Sequence, residues 1–404
     1  MDEQLTTDLA DWVTKAGLKG YSETVLLSGF CERVVATGIP LAKALLIVDT
    51  LHPIHEGRVF RWQLGSHEST LQEYGRTTEG AAAEAWRRSP FYHLWQSGEP
   101  FLQCRLTPET TADFPILEEM RKAGLTDYLA MNNRFAAEGV IGEMDCILSS
   151  WATDAPDGFG EAALAMLRRL VPFLALAVKS ASLGRIAGTL VETYLGRDAG
   201  RRVLSGRIAR GVAETIRTVL WFSDLRGYTK ITDTAPPEQI IPLLNDYADA
   251  VISAIHDERG DVLKLIGDGT LAIFQAADRE EACRRALAAA TAARRSIDVL
   301  NAQRGAEALP VTQMYLGLHV GEVFYGNVGS KDRLDFTVVG PAVNEASRIA
   351  AMCRSVDQEV LLSAAFAGAC GGARQRLISV GRYALRGVGQ PQELFTLEPD
   401  PNSG

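Results

Sequence analysis

Two aspartates in the C-terminal half of the chain have the residue type and the setting that a divalent cation requires. Asp224 ends the apolar run VLWFSD before a glycine-bearing turn, and Asp268 lies in the turn of KLIGDGTLAIF. Hard cations such as Mg²⁺ prefer a few carboxylates together with substrate phosphates. If the two carboxylates meet, they predict phosphoryl transfer with two metal ions that hold the attacking and leaving oxygens.

The predicted order of elements explains how these two aspartates could meet. Apolar periodicity predicts, in the order βαββαβ, the segments 218–224, 236–258, 261–266, 270–275, 278–303 and 311–319. This is the ferredoxin-like plan, in which the first and third strands are neighbours. Strand one ends at Asp224 and the hairpin turns at Asp268, so one rim is expected to hold both. Taken singly, each is an ordinary turn residue.

The turn after Asp224 adds a predicted phosphate contact. Its backbone N–H groups face phosphate oxygens if a helix begins there. The residues concerned are Leu225, Arg226, Gly227, Tyr228 and Thr229. Leu225 is also included with the two aspartates in the predicted metal site.

Five motifs in this region, taken in order, resemble the catalytic domain of class III nucleotidyl cyclases. They are FSDLRGYT, VLKLIGDGTLAIF, LGLHVGEVFYGNVG, DFTVVGPAVNEASRI and LRGVG, and the resemblance covers about 212–397. The resemblance implies an α+β domain, at 215–398, in which Asp224 and Asp268 bind two Mg²⁺ or Mn²⁺ ions per active site.

The same resemblance implies roles for residues around the nucleotide. Lys264 matches the lysine that hydrogen-bonds adenine, and Thr337 stands where many adenylate cyclases have Asp and guanylate cyclases have Cys. Threonine there is typical of class IIIb bacterial adenylate cyclases, whose members often respond to bicarbonate. Asn344 and Arg348 match the pair that supports the transition state, and their i, i+4 spacing puts both on one helix face.

At two positions the chain departs from the pattern of the family. Arg386, in LRGVG, stands where many members of the family have Lys; arginine still binds terminal phosphates, and can do so bidentately. Tyr315 replaces an arginine that contacts phosphate mainly in the mammalian heterodimers. His319 ends the predicted strand and is expected to be structural rather than a general base.

The implied activity is that of an adenylate cyclase, a phosphorus–oxygen lyase that converts ATP to 3′,5′-cyclic AMP and pyrophosphate. The resemblance implies a head-to-tail homodimer in which one subunit supplies the aspartates and the other supplies Lys264, Thr337, Asn344 and Arg348. Two alternatives stay open: a guanylate cyclase, which Lys264 and Thr337 disfavour, and a catalytically degenerate nucleotide-binding module, for which Arg386 leaves room.

The N-terminal segment, 1–184, resembles a GAF domain. The resemblance rests on GLTDYLAMNN, on GVIGEMDCILSSWATDAPDGF, with a strand expected at 139–149, and on a helix expected at 162–181. Such domains bind small ligands or dimerise, and the residues do not decide between these roles, so an effector, either a small molecule or bicarbonate, stays an open alternative. Cys146 is a candidate ligand anchor, although a buried thiol is the simpler interpretation.

A helical connector is expected at 185–214. It contains Arg185, Arg197, Arg201, Arg202, Arg207 and Arg210. A solvated helix face is favoured over a specific binding patch, and the position suggests coupling between the domains. A loose tail is expected at 399–404.

Composition excludes several function classes. The formal net charge of −9 argues against a general nucleic-acid binder. No apolar run reaches the length of a membrane span, the first residues do not form a signal peptide, and the cysteines lack a zinc spacing, so a cytoplasmic protein is expected. His52 and His55 form an HxxH pattern, but the proline between them favours a loop without metal.

Overall fold

The computed structural model describes residues 3–66, 70–76, 79–107, 114–135, 141–142, 144–386 and 388–398. The chain divides into two compact units, Met1–Leu190 and Val191–Gly404, and the fold is mixed α+β. The tail expected at 399–404 lies outside the described residues. Among the residues described, no helix combines the length and apolar character that a membrane crossing requires.

The N-terminal unit is built on an antiparallel sheet. Its elements are α1 Glu3–Leu18, α2 Glu23–Ala36, β1 Lys43–Asp49, β2 His55–Gln63, β3 Thr70–Gly75, α3 Gly80–Arg87, α4 Pro90–Ser97, β4 Phe101–Arg105, α5 Pro115–Lys122, β5 Asp127–Arg134, β6 Cys146–Thr153 and α6 Glu161–Leu195. The strands follow the order β3-β2-β1-β6-β5-β4. Residues of α1, α2 and α6 share one hydrophobic core with the sheet.

Two predictions for this unit need correction. The strand expected at 139–149 is β6, Cys146–Thr153, because this segment pairs with both β1 and β5 as far as Thr153 and is buried throughout; residues 139, 140 and 143 lie outside the described residues. The helix expected to end at 181 continues to Leu195, and its Arg185 donates to the buried carboxylate of Glu23 at 2.8 Å.

The C-terminal unit is built on a second, larger sheet. Its elements are α7 Arg197–Leu204, β7 Ala213–Leu225, α8 Tyr228–Thr234, α9 Pro237–Asp257, β8 Asp261–Ile266, β9 Gly269–Phe274, α10 Arg279–Ala306, β10 Met314–Gly329, β11 Leu334–Val339, α11 Pro341–Val356, β12 Val360–Ser363, α12 Ala364–Ala369, a 3₁₀ helix Gly371–Arg376, β13 Leu377–Tyr383 and β14 Gln392–Leu397. The strand order is β13-β14-β12-β10-β7-β9-β8, and β11 pairs with β10.

The central strands carry the site-bearing turns. β7 pairs antiparallel with β9 on one side and with β10 on the other. The α9 and α10 side of the sheet buries Trp221 and Phe274 in one core, while Leu220 and Leu271 belong to a separate core with α11. The end of β7 and the β8–β9 turn therefore reach the same edge of a sheet that is packed on both faces.

β10 is longer than the strand expected at 311–319. It pairs with β7 from Met314, opposite Leu225, to Gly326, opposite Ala213. The strand continues past His319 through Gly321, which pairs with Thr218 of β7 and packs against α11, where a Cβ on it would lie 2.3 Å from Ala342 Cβ. The connector is also shorter than expected, since Ala213 already belongs to β7.

Candidate active site

The structure brings Asp224 and Asp268 together at the end of β7. The backbone N–H of Leu225 donates to Asp224 Oδ1 at 3.1 Å and to Asp268 Oδ2 at 3.3 Å. Two carboxylates that are 44 positions apart in sequence thus share one hydrogen-bond donor. We refer to these two residues as the aspartate pair.

Two glycines allow the β8–β9 hairpin to close against β7. Gly267 has a φ of 63°, which only glycine adopts without cost in a tight turn. A Cβ on Gly269 would lie 2.9 Å from the carbonyl oxygen of Ser223 and 3.8 Å from Asp224 Oδ1. Any larger residue at Gly269 would therefore move Asp268 away from Asp224.

The pKa of Asp224 is raised to about 7. Burial is the largest cause, and the adjacent Asp268 adds to it, while the N–H of Leu225 acts in the opposite direction. The repulsion between the two carboxylates is removed when either a proton or a cation binds to them. Their oxygens also fit a hard divalent metal, because such metals bind carboxylates and the rim is open to phosphate ligands.

The aspartate pair borders a cavity of about 190 Å³. Ile241 and Leu244 of α9 and Leu265 of β8 contribute apolar walls. Ile241 is 62% exposed, whereas Leu243 and Tyr247 of the same helix are buried. Within the described chain, no three histidine, cysteine or acidic side chains lie close enough to hold a metal by themselves. A metal here would therefore need oxygens from the backbone of Leu225, from water or from substrate.

In the turn after Asp224, two of the five backbone N–H groups that were expected to face phosphate already donate hydrogen bonds within the protein. The N–H of Leu225 is used by the aspartate pair, and the N–H of Arg226 donates to Gln313 O at 2.7 Å. These two groups are thus already engaged, which corrects the expectation that all five N–H groups face phosphate. Gly227, at the start of α8, and the following Tyr228 and Thr229 keep that predicted role.

A second group of predicted residues is centred on Lys264. Its ammonium forms an ion pair with Asp335 of β11, and both side chains are partly exposed. Thr337 lies two residues further along β11, so its side chain is on the same face of the strand as that of Asp335. Thr337 is half-buried. Asp335 was not predicted, although the period of a strand places it beside Thr337 in the DFTVV motif.

Asn344 and Arg348 lie on α11, which Pro341 begins as predicted. Asn344 is exposed and Arg348 is half-buried. Arg386 is exposed in the turn after β13. Within the described ranges, these three side chains form no hydrogen bond or ion pair with the aspartate pair, and none of them lines the cavity beside it.

His319 and Tyr315 both lie on β10. His319 lies within β10, where its Nδ1 is 2.9 Å from Ser363 Oγ and burial lowers its pKa to about 4, so it is neutral at pH 7. Tyr315 lies opposite Asp224 in the β7–β10 register, and its ring centroid is 5.8 Å from the Arg226 guanidinium. The rings of His52 and His55 stack 4.7 Å apart.

Comparison with known proteins places this geometry in context. Residues 213–398 match the family model described as the adenylate and guanylate cyclase catalytic domain. An adenylate cyclase of Anabaena cylindrica is 35% identical over 153 residues, 38% of this chain and 30% of that protein. Adenylate cyclase 1 of Rhizobium meliloti is 30% identical over 183 residues, 44% of this chain and 27% of that protein. The chain thus spans about a third of the length of the curated relatives it matches.

Among solved structures, a bacterial light-regulated adenylyl cyclase is 25% identical, with a TM-score of 0.41. The match covers 46% of this chain and 91% of that one.

Asp224→Asn is expected to stabilise the metal-free protein more at pH 8 than at pH 5. The pKa of Asp224 is 3.8 in its ordinary state and about 7 in the folded state, so stability falls as pH rises through this window. The asparagine removes that loss. Because the side chain is partly exposed, the difference between the two pH values should be about 1 kcal/mol. Urea unfolding in EDTA measures it.

Asp249→Asn is the matched control, because Asp249 is an exposed aspartate of α9. It should show no such difference between the two pH values. An equal gain for Asp224→Asn at both values would contradict the assigned carboxylate repulsion.

Proposed function

We propose that the C-terminal unit is an adenylate cyclase that converts ATP to 3′,5′-cyclic AMP and pyrophosphate. The observation that carries the proposal is the convergence of Asp224 and Asp268 on the N–H of Leu225, within the segment that matches the cyclase catalytic family. This arrangement suits divalent metals, and it does not supply a protein nucleophile.

In the proposed reaction the ribose 3′-oxygen attacks the α-phosphorus, and pyrophosphate leaves in line. The aspartate pair and the carbonyl of Leu225 would hold two Mg²⁺ or Mn²⁺ ions, which when bound lower the pKa of the 3′-hydroxyl and hold the triphosphate. Arg348 would neutralise charge that builds on the α-phosphate, while Asn344 would hold the ribose. Arg386 and the N–H groups of 227–229 would bind the terminal phosphates.

Adenine recognition is assigned to Lys264, Asp335 and Thr337. Adenine presents an acceptor at N1 and a donor at its amino group, and Lys264 donates while Asp335 or Thr337 accepts. The ion pair with Asp335 holds the lysine on the face that Thr337 shares. Guanine presents the opposite pattern at N1, but an adjacent carboxylate can accept from it, so guanylate cyclase activity is the second candidate.

We further propose that the active site is completed by a second copy of the chain in a head-to-tail dimer. The support is that, within the described residues, the side chains of Lys264, Thr337, Asn344 and Arg348 make no polar contact with the aspartate pair. The N-terminal unit is proposed to be a GAF-like sensor that controls the rate, which its antiparallel sheet with helices supports.

Asp224→Ala and Asp268→Ala are each expected to reduce metal-dependent cyclic AMP formation by about a thousandfold or more, because each removes half of the carboxylate donors. Cyclic AMP and pyrophosphate are measured with Mg²⁺ and with Mn²⁺, and chromatography checks the oligomeric state. Asp249→Ala is the matched control and should keep full activity.

Turnover close to that of the unmodified protein in either variant would refute the metal assignment. An unmodified protein that binds ATP and Mn²⁺ but releases no pyrophosphate would instead support the degenerate nucleotide-binding module.

Lys264→Gln and Asp335→Asn are each expected to lower kcat/KM for ATP by about tenfold or more and to reduce the preference for ATP over GTP. Their effect on stability should stay within about 1 kcal/mol, because the ion pair is partly exposed. Parallel ATP and GTP kinetics measure the effect, with exposed Lys331→Gln as control. An unchanged ATP-to-GTP ratio would remove both residues from base recognition.

Mixing Asp224→Ala with Asn344→Ala should restore activity if sites are shared between subunits. Half of the dimers would be mixed and each would contain one intact site, so about a quarter of normal activity is expected. Measuring cyclic AMP after equimolar co-refolding tests this. If the mixture stays as inactive as each variant alone while mixed dimers form, the proposed sharing is wrong.

A further inference from the structure

The N-terminal unit contains a cavity of about 640 Å³ beside its sheet. Along β1, Leu46 and Val48 are buried in the core formed with α1, α2 and α6, whereas Ile47 and Asp49 line the cavity. The alternation of side chains along a strand thus gives this sheet a core face and a cavity face. The volume is that of a small-molecule site.

Among the described residues that line the cavity, acidic groups outnumber basic groups. Asp49, Glu56 and Asp145 contribute carboxylates, and Arg61 contributes a guanidinium. The Arg61 Nη1 atom donates to Gln72 Oε1 at 2.9 Å, so part of its hydrogen-bonding capacity is used within the wall. The field inside the cavity therefore favours a positively charged occupant.

Two aromatic donors orient the carboxylates. Tyr74 Oη donates to Asp49 Oδ1 at 2.8 Å, and Trp95 Nε1 donates to Asp145 Oδ2 at 3.4 Å. Burial and Asp49 raise the pKa of Tyr74, so its hydroxyl keeps its proton. Tyr74 can occupy this position because residue 57 is a glycine. A Cβ on Gly57 would lie 2.2 Å from Tyr74 Oη.

Indole rings form part of the same wall. Trp86 of α3 and Trp95 of α4 both line the cavity. Tyr92 contacts both rings, with centroid distances of 6.1 Å to Trp86 and 6.0 Å to Trp95. Aromatic faces beside carboxylates are a combination that recognises ammonium groups through cation–π and charge attraction.

The chemistry of the lining disfavours other occupants. Phosphate-bearing ligands would place negative charge against the carboxylates, at a cost. No three metal-ligating side chains of the described residues lie close enough for a metal ion. Burial and Asp145 raise the pKa of Cys146, which keeps this wall residue a thiol rather than a covalent anchor.

We propose that this cavity binds an organic cation, an amine or a quaternary ammonium group attached to an aromatic or aliphatic body. The carboxylates of Asp49 and Asp145 neutralise the cationic group, and Trp86 and Trp95 contact it with their rings. Ile47 and other apolar wall residues pack against the body. This inference goes beyond the proposed catalytic function and does not depend on it.

Titration calorimetry of the full chain with benzyltrimethylammonium tests the proposal, with 3-phenylpropionate as an anion of similar size. The cation is expected to bind at millimolar concentration or below and the anion at least about tenfold more weakly. Absence of cation binding at millimolar concentration, or equal binding of the two probes, would overturn the proposal.

Two sets of variants locate the binding. Trp95 is 44% exposed, so its replacement leaves the core intact. Trp95→Leu, which lacks a π face, should weaken binding about tenfold, whereas Trp95→Phe should weaken it less. Asp145→Asn should also weaken binding about tenfold, and the exposed control Asp154→Asn should not change it. Unchanged affinity in both Trp95→Leu and Asp145→Asn would place the probe elsewhere and overturn the assignment.

Discussion

The mutual repulsion of Asp224 and Asp268 is the constraint around which the C-terminal unit is organised. Burial and the neighbouring carboxylate raise the pKa of Asp224 to about 7, so the pair is unfavourable in its fully ionised state. The pairing of β7 with β9, from Val219 to Ser223, holds the hairpin at the strand end regardless of this cost. The sheet therefore holds two carboxylates together, and a cation or a proton must neutralise their charge.

The same hairpin connects the aspartate pair to the second group of residues, which is centred on Lys264. β8 carries Lys264, and the turn that follows carries Asp268. β11 reaches Lys264 through Asp335 because it pairs with the far half of β10. One short hairpin thus carries both Lys264 and Asp268, and each of them has its own polar partner, Asp335 for the lysine and the N–H of Leu225 for the aspartate.

Sequence patterns could predict the elements around the aspartate pair because they depend on local signals. Apolar runs, a glycine turn and a proline at Pro341 each act within a few residues. The length of β10 could not be predicted, since Gly321, just after His319, resembles a strand breaker until α11 packs against it. The engaged N–H of Arg226 and the Lys264–Asp335 ion pair depend on contacts between distant segments. The N-terminal cavity could not be predicted either, because its lining depends on the register of four strands.

Carboxylates line both candidate sites of this protein, and their neighbours decide which cation each one suits. Beside Asp224, Gly269 leaves no side chain and the adjoining space is about 190 Å³, which suits compact ions bridged to phosphate. Beside Asp145, an indole donates to the carboxylate and the space is about 640 Å³. A hydrated metal gains little from an indole face, whereas an ammonium on an apolar body gains from both. Side chains of one acidic type can therefore serve two different binding tasks in one chain.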